Sequence, residues 1–137
     1  MESRRKPKII LSKIGLDAHN RGIKVVAHFL RDAGMEVIYL GPYQTIEEIV
    51  RAAIQEDADL VGISALEGSE VPQVMKLVKR LEEVGSADIP VVVGGIIPKR
   101  DEEILIKAGV KGVFPAGTPM ADVVEGVRKL SITKGKA

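Results

Sequence analysis

The chain has 137 residues, 45% hydrophobic and 28% charged, with a formal net charge of +1. That length suits one domain with a real core, and so small a charge gives no electrostatic case for nucleic acid or an anionic membrane surface. The absence of cysteine excludes disulfides and thiolate metal sites. No apolar run approaches the ~20 residues needed to span a bilayer and nothing resembles a signal peptide, so a cytoplasmic location is expected.

In chain order, residues 1–7 form a basic leader containing most of "SRRKPK" (3–8), read as a solvated segment. "KIILSKI" (8–14) is a first predicted strand. Ile23, Val26, Ala27 and Leu30 then recur at helical spacing, with Gly34 as the stop. "EVIYL" (36–40) is the second strand. Thr45 and Glu48 have the spacing of a capping box opening the second helix. "DLVGIS" (59–64) is followed by a helix from about Glu70 to Val84, and "PVVVGG" (90–95) by one from about Arg100 to Ala108. "GVFPA" (112–116) precedes a last helix starting at Thr118-Pro119, with Pro119 expected at its first helical position. The strands are almost continuous Val, Ile and Leu, which predicts burial on both faces of a parallel sheet. Right-handed crossovers then give one α/β domain over 8–131, an open, doubly wound five-stranded sheet of flavodoxin-like order 2-1-3-4-5. Residues 132–137 are expected to be a flexible tail.

Ligands of such sheets sit beyond the carboxyl ends of the strands. Four unusual stretches fall there: "GLDAHNRG" (15–22), "SALEGS" (64–69), "GGIIP" (94–98) and "PAGTP" (115–119). Singly they read as strand closures, turns and a helix cap at Thr118; jointly they mark one rim. A phosphate-accepting aspartate is missing, because Ser64 stands at the end of the third strand. Neither a G-x-G-x-x-G turn nor a P-loop is present. The two histidines, His19 and His28, lie nine apart on different features, which argues against zinc. His28 reads as an ordinary helix residue beside Phe29. His19 sits in a loop, two residues after Asp17, a spacing that suits a carboxylate orienting an imidazole as base or as metal ligand. No supported nucleophile accompanies it, and a lone histidine cannot hold a bare ion. A metal already held in a macrocycle needs only one such axial ligand.

Asp17-x-His19-x-x-Gly22, Ser64-x-Leu66 and Gly94-Gly95, in that order, resemble the cobalamin-binding domain of the B12-dependent mutases over roughly residues 8–130. The resemblance implies a Rossmann-like B12-binding fold, with His19 as axial ligand to cobalt in place of the cofactor's own dimethylbenzimidazole. Asp17 would be the histidine's hydrogen-bond partner, and Lys13 would continue that chain of contacts. The detached base would be buried, hydrogen-bonded by Ser64 and lined by Leu66. Gly94 and Gly95 would let the nucleotide tail pass, and Gly117 and Thr118 would meet its far end. Asn20, Arg21 and Gly22 complete the implied cofactor-binding residues, and the loop carrying them is expected to order when cobalt is ligated. "SALEGSE" departs from the family's commoner loop, so Glu67 and Glu70 face partner or solvent differently.

Within the family, "GLDAHNRG", "GPYQT" and "GGIIP" look most like the acyl-CoA mutases, methylmalonyl-CoA mutase above all. The implied cofactor is adenosylcobalamin, and the implied reaction is the radical interconversion of methylmalonyl-CoA and succinyl-CoA. The chain has no room for a substrate barrel, so a separate large barrel subunit is expected to bind the acyl-CoA. No catalytic residue beyond cofactor ligation is expected on this chain. The alternatives are the small subunit of a mutase acting on hydroxyisobutyryl-CoA or ethylmalonyl-CoA, and a non-catalytic corrinoid carrier or B12 sensor.

Overall fold

The computed structural model describes residues 6–14, 21–41, 43–65 and 70–132. Among them, five strands alternate with five helices. The strands are β1 (Lys8–Lys13), β2 (Glu36–Tyr39), β3 (Leu60–Ala65), β4 (Val91–Gly95) and β5 (Gly112–Pro115). The helices are α1 (Arg21–Asp32), α2 (Ile46–Gln55), α3 (Val71–Glu83), α4 (Lys99–Ala108) and α5 (Met120–Ser131). The sheet is parallel throughout, in the order β2-β1-β3-β4-β5. None of these helices is long and apolar enough to cross a membrane.

Successive strand residues point to opposite faces, and here both faces are covered. Ile10, Val61, Val91 and Val93 pack with Ile49 of α2, Val74 and Leu77 of α3 and Leu105 of α4. Ile9, Leu11, Leu60 and Val92 pack on the other face with Ile23, Ala27 and Leu30 of α1 and Val123 and Val127 of α5. This two-sided burial is why the strands read as continuous apolar runs rather than alternating ones.

Local chemistry sets the element ends. At α2 the Thr45 hydroxyl accepts from the Glu48 N–H at 3.1 Å, while the Glu48 carboxylate accepts from the Thr45 N–H at 2.8 Å. This is the reciprocal cap that the spacing predicts. Strand β3 begins one residue later than expected, at Leu60. Asp59, just before it, is tied to β1 by two bonds: its carboxylate accepts the Lys8 N–H at 2.8 Å and its own N–H donates to the Lys8 carbonyl at 2.8 Å. Helix α5 also differs from expectation. Pro119 is its N-cap, with ψ at 140°, so Met120 and not the proline is the first helical residue. Thr118 makes no cap, because its hydroxyl donates to the Pro115 carbonyl at 2.6 Å.

Candidate functional site

The face of the sheet under α1 and α5 carries two rows of residues in register. One runs Leu11, Gly62, Val92, Gly112; the next, one step nearer the carboxyl ends, runs Lys13, Ser64, Gly94, Phe114. Three of these eight positions are glycines, so the sheet surface is low where the two helices pass over it. The result is a cavity of about 370 Å³ between α1, α5 and the sheet, reaching the loops after β4 and β5. That volume lies in the range of small-molecule sites.

Among the described residues, no charged side chain lines this cavity. Its walls are Leu11 and Val92 from the sheet, Ile23, Val26 and Leu30 from α1, Phe114 from β5, and Met120, Val123 and Val127 from α5. The polar side chains among the described lining residues, Ser64 and Thr118, enter at the rim. The Thr118 hydrogen is already donated to Pro115, which leaves that oxygen as an acceptor. Behind Ser64 lies Lys13, only 1% exposed, whose Nζ stands 3.4 Å from the Ser64 Oγ as one of its contacts. An ammonium buried so deeply has to be held by polar partners, and the parallel register delivers Ser64 to it across 51 residues of sequence.

The adjacent glycines Gly94 and Gly95 both line the cavity, for different reasons. Gly94 belongs to the row that faces α5, and a Cβ there would meet only Phe114, its carbonyl oxygen at 3.5 Å. Its bareness therefore keeps space open. Gly95 has φ at +126°, and a Cβ there would run into the Ala65 carbonyl oxygen. That carbonyl accepts the Ile96 N–H at 2.9 Å, and the Gly95 carbonyl accepts the Ala116 N–H at 2.7 Å. Gly95 thus stitches three strand ends together at the rim.

Of the residues singled out from sequence, Lys13, Ser64, Gly94, Gly95, Gly117 and Thr118 converge on this cavity and its rim, and Gly22 lines it from the start of α1. Arg21 is placed as the first residue of α1. Asp17, His19, Asn20, Leu66 and Glu67 lie outside the described residues. Glu70 is the N-cap of α3 and is 5% exposed, so it does not face solvent as the loop reading allowed. His28 is an exposed residue of α1, 3.2 Å from the Asp32 carboxylate one turn on. Leu11, Gly62 and Phe114 were not singled out. Strand parity carried the signal, since Gly62 and Ser64 are two apart in β3 and must share a face.

A flat, mostly apolar group with polar atoms at one end fits this lining. A nucleotide base entering between α1 and α5 would have Ser64 and Thr118 at its polar end and Gly94 and Gly117 beside it.

A family model described as "B12 binding domain" matches residues 7–124. The chain is 44% identical over 128 residues to the 2-hydroxyisobutanoyl-CoA mutase small subunit of Aquincola tertiaricarbonis, covering 93% of this chain and 94% of that one. It is 45% identical over 123 residues to the pivalyl-CoA mutase small subunit of Xanthobacter autotrophicus, covering 90% and 82%. Methylmalonyl-CoA mutase of Escherichia coli is 40% identical over 126 residues, which span 92% of this chain but 18% of that much longer protein. A cobalamin-binding protein from Desulfitobacterium hafniense superposes with a TM-score of 0.81 at 22% identity, over 92% of this chain and 60% of the other, a likeness of fold. The chain belongs to the B12-binding domain family, in the form that serves acyl-CoA mutases, which are isomerases.

Proposed function

We propose that this chain is the cobalamin-binding small subunit of a cytoplasmic acyl-CoA mutase, carrying adenosylcobalamin for a large barrel subunit that binds the acyl-CoA. The observation that carries this reading is the match along almost the full length of a mutase small subunit. The apolar cavity beneath α1 and α5 supports it independently. Bound cofactor would supply a cobalt–carbon bond that opens to radicals, chemistry that belongs to the cofactor rather than to the protein.

The chain's own residues then bind and orient. His19 would hold cobalt and Asp17 would fix its imidazole, as a carboxylate does for a ligating histidine. Asn20, Arg21 and Gly22 would complete that loop's contacts. Ser64, backed by buried Lys13, would hydrogen-bond the base in the cavity, with Leu66 beside it. Gly94, Gly95, Gly117 and Thr118 would accommodate the nucleotide tail. The groups that act on the substrate itself would stand on the large subunit.

Two substrate readings follow from the relatives. Methylmalonyl-CoA is supported by the likeness to the corresponding part of that mutase. A more heavily branched acyl-CoA, of the 2-hydroxyisobutyryl type, is supported by relatives that are separate small subunits like the one proposed here, and we favour it. The test is direct. The purified chain should bind cobalamin and turn over no acyl-CoA alone, and the cognate large subunit should restore isomerisation of one member of an acyl-CoA panel. Failure to bind cobalamin, or turnover by the chain alone, would sink the reading.

A further inference from the structure

Phe114 lines the cavity, but nothing in the cavity explains why its ring stands where it does. The explanation lies behind it, on α5. A Cβ at Gly126 would be 2.8 Å from both Cε1 and Cζ of the Phe114 ring, and one at Gly112 would be 3.5 Å from Cζ. Real Cβ atoms do not approach a ring carbon that closely, so the Phe114 ring occupies the space that a side chain at Gly126 would take. A glycine inside a helix costs about 1 kcal/mol relative to alanine, and Gly126 stands in mid-helix in α5, away from the cavity lining.

We infer that Gly126 is a positioning residue for the cofactor's base: by letting Phe114 sink against α5 it sets the width of the slot. The inference rests on the reading that the base enters this cavity. An alanine at 126 would push the ring away from α5. The space over Gly112 offers little escape, because Leu130 and Val92 already stand 3.3 Å from the point that a Cβ there would occupy. The open space beside the ring is the cavity that Phe114 lines, where the base would lie. Away from Ser64 and Thr118 at the rim the described slot walls are apolar, so narrowing them adds no polar contact in compensation.

The experiment compares two probes on the full chain by equilibrium dialysis: cobalamin, and cobinamide, which keeps the corrin but lacks the nucleotide base. Wild type should bind cobalamin more tightly than cobinamide; equal affinity would show that the base does not use the cavity and would overturn the underlying reading. Given that difference, Gly126→Ala should weaken cobalamin by at least about tenfold, the scale of one overpacked group. Cobinamide affinity should stay within about twofold, since the corrin does not depend on slot width. Adding Phe114→Leu to Gly126→Ala should recover cobalamin affinity, because the smaller side chain needs no glycine behind it; such coupling marks residues in contact. Unchanged cobalamin affinity in Gly126→Ala, or equal loss for both probes, would overturn the positioning role. If Gly126→Ala does not fold, Phe114→Trp narrows the slot from the ring side and should give the same split between probes; no split would overturn the inference.

Discussion

Substituting the neighbours Gly94 and Gly95 separates the two reasons for a glycine at this rim. In Gly95→Ala the side chain would inherit φ at +126° and collide with the Ala65 carbonyl. Holding a non-glycine residue in so sparse a region costs about 2 kcal/mol. Relieving the collision by moving the Ala65 carbonyl stretches its bond from the Ile96 N–H, about 1 kcal/mol more. The expected loss, about 3 kcal/mol, corresponds to a fall in Tm of about 10 °C for a domain of this size. In Gly94→Ala the new Cβ has ordinary contacts with Phe114, the nearest at 3.5 Å. Restricting the unfolded chain would stabilise by about 0.5 kcal/mol, so Tm should hold or rise slightly. The methyl group, however, stands in the slot, where overpacking of about 1–3 kcal/mol would weaken cobalamin about 10–100-fold. Thermal denaturation followed by circular dichroism, paired with equilibrium dialysis of cobalamin, reads both effects. The reasoning fails if the two variants melt alike, or if Gly94→Ala retains wild-type cobalamin affinity while folded.

Ser64→Ala should weaken cobalamin about 3–10-fold, the worth of one hydrogen bond, and leave cobinamide unchanged; equal effects on the two would remove Ser64 from the base contact. With histidine labelled in its ring nitrogens, the Co(II) form of bound cobalamin should show altered nitrogen hyperfine splitting, and His19→Ala should abolish that dependence. Persistence of the benzimidazole signal throughout would show that His19 is not the ligand. Thr45→Ala should cost about 1 kcal/mol in urea denaturation through loss of the α2 cap, and no change would deny the cap a role in stability. The Thr45 N–H donates to Glu48, with the Thr45 hydroxyl adding to it, and together they hold the Glu48 carboxyl below its ordinary value near 4.5. Because the folded value is the lower one, the cap's contribution is full above that ordinary value and is lost as pH falls through the lowered one. Glu48→Gln should therefore flatten the acid limb of the stability profile, and an unchanged limb would refute the assignment.

How much of this could be read along the chain follows from the range of the forces involved. Strand and helix positions depend on apolar periodicity and on caps such as Thr45 with Glu48, three residues apart. Those interactions are local, so the element order, the parallel sheet and the strand order were legible. The rim position of Ser64, Gly94, Gly117 and Thr118 was legible too, because ligands of this topology gather at the carboxyl ends. Element ends were less so. That the Asp59 carboxylate takes up the Lys8 N–H, and whether Thr118 caps α5 or bonds Pro115, depends on partners that packing supplies. Only the tertiary structure could decide the cavity itself. It exists because register aligns Gly62 beside Leu11 and Gly94 beside Phe114, and because α1 and α5 rest on the same face. Its width depends on Phe114 meeting Gly126 across two elements. A side chain's neighbours along the chain limit which face it takes, whereas the depth of the space it leaves is set by van der Waals contact with residues remote in sequence.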